Sequence, residues 1–159
     1  MQHEIHLSDF NEPIGVLEPV RPLCVEAGSP LRTAIDMLDE ENYGCVVVVR
    51  KKKIVGILTE HDILTKVAGQ SIDLDQATVD TFMTRHPVCM TVCDSIKDAI
   101  KAFRQHNIRH IPIVDKRNHP VGYTSVRGVI DFVVSYFSEE VLNLPPKPMR
   151  VGMEEEAGA

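Results

Sequence analysis

Apolar residues recur along this chain first at helical and then at strand spacing, and the alternation happens twice. Leu31, Ala34, Ile35 and Leu38 fall at i, i+3, i+4 and i+7, with Arg32, Asp36, Asp39 and Glu40 opposite them, which predicts an amphipathic helix. Ser29 and Pro30 predict its start, as a cap followed by proline in the first turn, and residues 42–44 its stop. The run 45–49 is continuously apolar and β-branched, the pattern of a strand covered on both faces. Lys51 to Lys53 turn the chain into a second strand over 54–58, and Thr59, Glu60, His61 and Asp62 stand where it gives way to a short helix over 63–68. An extended stretch, 22–25, precedes the first helix.

The same order then returns. Residues 88–90 are extended; Asp94 or Ser95 caps a helix carrying Ile96, Ala99, Ile100 and Phe103; strands follow over 111–114 and 121–123, and a helix over 129–137 closes the unit. At an offset of 65 positions Pro22 meets Pro87, Cys24 meets Cys89, Ala34 meets Ala99, Ile35 meets Ile100 and Asn42 meets Asn107. One residue later, 56–62 falls on 122–128. Two β-α-β-β-α units of this size must bury their apolar faces against each other. The expectation is an α+β fold in which the units pair about a pseudo-two-fold axis, with function in the cleft between them. The expected divisions are an arm or short cap over 1–14, the first unit over 15–70, a polar linker over 71–78, the second unit over 79–138 and a solvated, proline-bearing, acidic extension over 139–159.

Composition narrows the functional classes. A net charge of −6 disfavours nucleic acid and anionic membranes as partners, and Lys51 to Lys53 read as a solvated turn tip. No apolar run approaches a membrane span and the N-terminus lacks a signal-peptide pattern, so the chain reads as cytoplasmic. Cys24, Cys45, Cys89 and Cys93 have no zinc-like pairing and read as buried free thiols. No nucleophile motif, P-loop or H-E-x-x-H is present, which predicts no catalytic residue and no metal; His3 and His6 are only weakly metal-like.

The unit order, the strand 111–115 and the ending Gly-x-x-[Ser/Thr]-x-x-Asp resemble the CBS domain, here as the tandem pair called a Bateman module, over about residues 15–137. The resemblance implies a regulatory module that binds an adenosine-containing ligand, with AMP or ADP first and ATP or S-adenosylmethionine after them. It also implies a homodimer and a protein partner regulated in trans. A ligand-free dimerisation or interaction scaffold is the alternative, and a thiol sensor using Cys89 and Cys93 is a third reading.

Asp62, a carboxylate at a helix N-terminus, can accept both hydroxyls of a ribose, and Thr59 can offer its hydroxyl to the sugar or a phosphate while capping the helix. Ile57 and Leu58, which lead into this turn, are expected to contact the ligand with them. The resemblance further implies that the second unit completes the site, Val88 lining the adenine pocket and Arg109, His110 and Arg127 meeting the phosphate. In the second unit Ser125 replaces Thr59, but Gly128 stands where Asp62 stood, so the cleft of Cys24 and Ser125 is expected to be the weaker one.

Overall fold

The structure, a computed structural model, describes residues 6–142; the expectations for the first five residues, His3 among them, and for 143–159 lie outside the described residues. The first half runs β1 (Cys24–Glu26), α1 (Leu31–Glu41), β2 (Cys45–Arg50), β3 (Lys53–Thr59) and α2 (Glu60–Asp62), which continues as a π-turn over Ile63–Val67. A crossover made of α3 (Val79–Phe82) and β4 (Thr84–Arg85) leads into α4 (Ile96–His106), β5 (His110–Val114), β6 (Pro120–Ser125) and α5 (Val126–Leu142). The fold is α+β, as the two-fold repetition of the pattern implies.

Both amphipathic helices end on the asparagine that the repeat aligns. Asn42 and Asn107 adopt left-handed φ of 53° and 50° and return their N–H groups to the last turn, conformations that asparagine tolerates better than most residues. The starts differ. Ser95 caps α4 by accepting from the Asp98 N–H at 3.1 Å, whereas the Asp94 carboxylate turns back to the Thr91 N–H at 2.6 Å. Ser29 does not cap α1: the first-turn N–H groups of Leu31 and Arg32 are taken by the carbonyls of Ala77 and Leu74, at 2.8 and 3.0 Å.

That difference corrects the expected polar linker. Leu74 and Ala77 pack against the first core, in which Val79 is fully buried. The N-terminal segment does the same for the second half. Phe10 and Ile14 enter its core, and the Ile96 and Lys97 N–H groups donate to the carbonyls of Glu12 and Phe10, each at 2.9 Å. Each half is therefore closed by the segment that leads into the other.

Strand pairing follows the same rule. β1, β2, β3 and β4 form one sheet, in which β1 is parallel to β2 and β4 antiparallel to β3. The second sheet is β5 with β6, extended by single bridges where Met90 lies parallel to Ile113 and Val20 antiparallel to Tyr123. The extended segment expected at 88–90 is thus reduced to one bridge, and the strand belonging to the crossover forms earlier, against β3.

On β2, Val46 and Val48 face the first core, while Cys45, Val47 and Val49 face the other half. This accounts for an uninterrupted apolar strand. Between the halves Cys45, Ile57 and Tyr123 form one cluster with Tyr43, and Val47, Val49 and Ile54 form another with Cys89 and Val114.

Candidate functional site

Thr59 ends β3 and caps α2 in a closed box: its hydroxyl accepts from the Asp62 N–H at 3.2 Å, and Asp62 Oδ2 accepts the Thr59 N–H at 3.0 Å. The Thr59 hydroxyl also donates to Oδ2 at 2.9 Å. Asp62 is only 6% exposed, and its other oxygen, Oδ1, is held by Lys66 Nζ at 2.7 Å, with the Thr84 hydroxyl at 3.5 Å. The Lys66 ammonium also donates to the Phe82 carbonyl at 3.0 Å. The carboxylate expected to receive a ribose is therefore ion-paired and hydrogen-bonded within the protein, and a sugar would have to displace one of these donors.

His110 begins β5 from the other half and lies directly over Gly44, where any Cβ would overlap the imidazole. The Gly44 carbonyl accepts the Glu60 N–H at 3.2 Å, so the imidazole sits beside the N-terminus of α2. Its ring centroid is 5.9 Å from that of Tyr123. Burial pushes the His110 pKa below the ordinary histidine value; the Glu60 charge opposes this and Arg109 reinforces it. Burial likewise pushes the Tyr123 hydroxyl and the Cys45 thiol up, each to about 12.

The other expected residues are distributed less evenly. Arg109 is exposed next to His110, and Val88 is half-buried in the segment joining β4 to Met90. Ile57 is covered between the halves, and Leu58 lies in the first core with no exposed surface, so its side chain supports the strand and presents nothing to the cleft. Arg127 is not gathered with the rest: its side chain is 91% exposed, with Asp131 4.0 Å away along α5. Ser125 caps α5 through the Gly128 N–H at 3.2 Å, the counterpart of Thr59 without the acid. Cys24 is exposed on β1.

Lys66, Thr84, Gly44 and Glu60 are the additions that the structure makes. Lys66 was legible as the i+4 partner of Asp62 on a helix. Thr84 was not, because only the β3–β4 pairing, with Ile57 opposite Thr84, brings it near. The cysteines divide into exposed Cys24 and Cys93, half-buried Cys89 and buried Cys45, which corrects the expectation of four buried thiols. Burial raises the Cys89 pKa and its thiol donates to the Pro87 carbonyl at 3.3 Å, both unfavourable to a reactive thiolate. Among the described residues no group of three or more His, Cys, Asp or Glu is placed to hold a metal, and no helix is long and apolar enough to cross a membrane.

The CBS domain family model matches residues 9–69 and 79–135. The chain belongs to the CBS-domain family. Among relatives, the uncharacterised protein MK0525 of Methanopyrus kandleri is 27% identical over 124 residues, covering 74% of this chain and 63% of its own. The CBS domain-containing protein CBSCBSPB2 of Arabidopsis thaliana is 28% identical over 120 residues, covering 76% of this chain and 22% of its own. The chain thus spans less than two-thirds of the length of these relatives. Among solved structures, the CBS domain protein PAE2072 from Pyrobaculum aerophilum, complexed with AMP, is similar at a TM-score of 0.67 and 25% identity, over 77% of this chain and 98% of that one. The CBS domain pair of MJ0100, in complex with 5'-methylthioadenosine and S-adenosylmethionine, shares the fold at a TM-score of 0.68 and 20% identity, over 76% of this chain and 98% of that one.

Proposed function

We propose that this CBS pair is a regulatory module that binds an adenine nucleotide, AMP or ADP, in the cleft where the Thr59–Asp62 turn of one half meets His110 and Arg109 of the other. One observation carries the reading: the His110 imidazole from the second half rests on Gly44 of the first, next to the N–H end of α2 that also holds Asp62. A buried carboxylate for the ribose and, for the phosphate, the Arg109 guanidinium with the His110 imidazole beside it then stand on opposite banks of one cleft. A ligand touching both banks favours one mutual arrangement of the halves, and its differential affinity sets how far the population moves. AMP in the related PAE2072 supports the ligand class. The reading assigns this chain no catalytic step.

Val88 is assigned to the base pocket, and Arg127 only to the periphery. The cleft of Cys24 and Ser125 is assigned no nucleotide, since Gly128 supplies no acceptor. Homodimerisation belongs to the same reading, because Leu64 and its repeat equivalent Ile130 are both exposed apolar side chains, at 70% and 55%. Calorimetric titration tests the ligand: one AMP per chain at micromolar concentration is expected, and Asp62→Ala should weaken it at least tenfold, about 1.4 kcal/mol. Unchanged affinity in Asp62→Ala, or no response to AMP, ADP, ATP or S-adenosylmethionine, favours the scaffold reading.

A further inference from the structure

At the opposite end of β2 from Gly44, the turn between β2 and β3 and the residue that follows β4 border an open groove of about 480 Å³, within the range of small-molecule sites. Its floor is Ile54 and Val55, and Arg50, Lys51, Lys53 and His86 line it. Asn118, from the hairpin of the other half, completes the wall, and its carbonyl accepts the Ile54 N–H at 3.1 Å. Arg50 to Lys53 is four consecutive cations in a chain whose net charge is −6. Arg50 bonds Asp80 Oδ1 at 3.2 Å, which uses one of its five donors; Lys51, Lys53 and His86 have no ion-pair partner among the described residues.

The backbone makes this concentration of charge costly. Lys51, Lys52 and His86 take left-handed φ of 51°, 67° and 48°. Each costs an L-residue about 1–2 kcal/mol that glycine would avoid, and a two-residue hairpin turn ordinarily favours Asn-Gly. Retaining lysine and histidine in such positions spends stability where only their side chains differ from the cheaper choice, a pattern associated with function.

We infer that this groove is a second binding site, distinct from the nucleotide cleft, for a soluble small molecule carrying a di- or triphosphate group. Several cations suit a multiply charged anion better than a single charge, the Arg50 fork matches phosphate geometry, and the apolar floor accommodates the body of an organic phosphate. Five residues of strand, about 16 Å, separate Arg50 from the Cys45 end of β2. The inference does not depend on the nucleotide reading. Because Asn118 and Lys53 come from different halves, an occupant would touch both.

Inorganic pyrophosphate is the probe. Titrated by calorimetry at fixed ionic strength, it should bind the wild-type chain and bind Lys51→Gly/Lys53→Gln at least tenfold more weakly. Lys51→Gly relieves a left-handed residue, so the variant should keep or raise its Tm, and loss of binding then reports the side chains and not the fold. Binding should persist in Arg109→Ala/His110→Gln, which disables the phosphate side of the other cleft. Pyrophosphate binding no tighter than sulfate, equal affinity in Lys51→Gly/Lys53→Gln, or loss confined to Arg109→Ala/His110→Gln overturns the inference. So does sedimentation with phosphatidylinositol 4,5-bisphosphate vesicles without any binding of pyrophosphate, which would assign the groove to a membrane surface.

Discussion

Asp62 illustrates how far one residue's type determines its behaviour. Its carboxylate serves the helix cap through Oδ2 and the Lys66 ammonium through Oδ1, so both oxygens of the proposed ribose contact already have donors within the protein. Lys66 is 42% exposed but the Asp62 side chain only 9%, so removing the ammonium leaves a buried carboxylate without its ion-pair partner. Lys66→Met, which keeps most of the stem, should therefore lower the Tm yet strengthen AMP binding about three- to fivefold by removing the competitor. Calorimetry reads this directly, and unchanged or weaker affinity would show that Lys66 does not compete with the ligand.

His110 gives the pH dependence. Its folded pKa lies below the ordinary histidine value because burial disfavours the charged ring. The unfolded chain takes up its proton near 6.5 while the folded protein takes it up lower, so in that window the unfolded state binds more protons and stability rises with pH. Acidification below about 6.5 should destabilise the wild type more than His110→Gln, as measured by denaturant unfolding at pH 7.5 and 5.5. Parallel slopes in the two proteins would remove His110 from the account.

At the scale of elements, the two strand-to-helix junctions are built alike and differ by one side chain. Ser125 caps α5 as Thr59 caps α2, and a Cβ placed on Gly128 would lie 3.8 Å from Ser125 Oγ and Thr124 Oγ1, an ordinary contact. Space for an acid is present, and an acid in a first helical turn is favourable. Gly128→Asp should fold normally and raise the calorimetric stoichiometry from one AMP per chain toward two. A stoichiometry that stays at one would mean that the second cleft lacks more than its carboxylate.

At the scale of the whole molecule, each half is completed by the segment preceding the other, so neither β-α-β-β-α unit has a closed core by itself. The same arrangement puts the two second helices in equivalent places, exposing Leu64, Ile130 and Val134, the last at 58%. Exposed apolar side chains at repeat-equivalent positions fit an isologous surface covered by a second copy. Sedimentation should report about twice 17.8 kDa, and Leu64→Glu/Ile130→Glu should yield the monomer without loss of helical signal. A wild-type monomer at tens of micromolar would remove this surface from the dimer reading, because stable interfaces are populated well below that concentration.

What the sequence determined by itself is whatever rests on local period and paired chemistry. The repeat, both amphipathic helices, the asparagines that end them, the strand covered on both faces and the Thr59–Asp62 cap were legible because each follows from spacing along one segment. Tertiary structure alone decided that Phe10, Ile14, Leu74, Ala77 and Val79 belong to cores, that the crossover strand forms at Thr84 and Arg85, and that Arg127 stays in solvent while His110 reaches Gly44. It also gathered the cations of one turn with His86 and Asn118 around a groove. These contacts join residues far apart in the chain, and their positions depend on how two apolar faces dock, which no local period encodes.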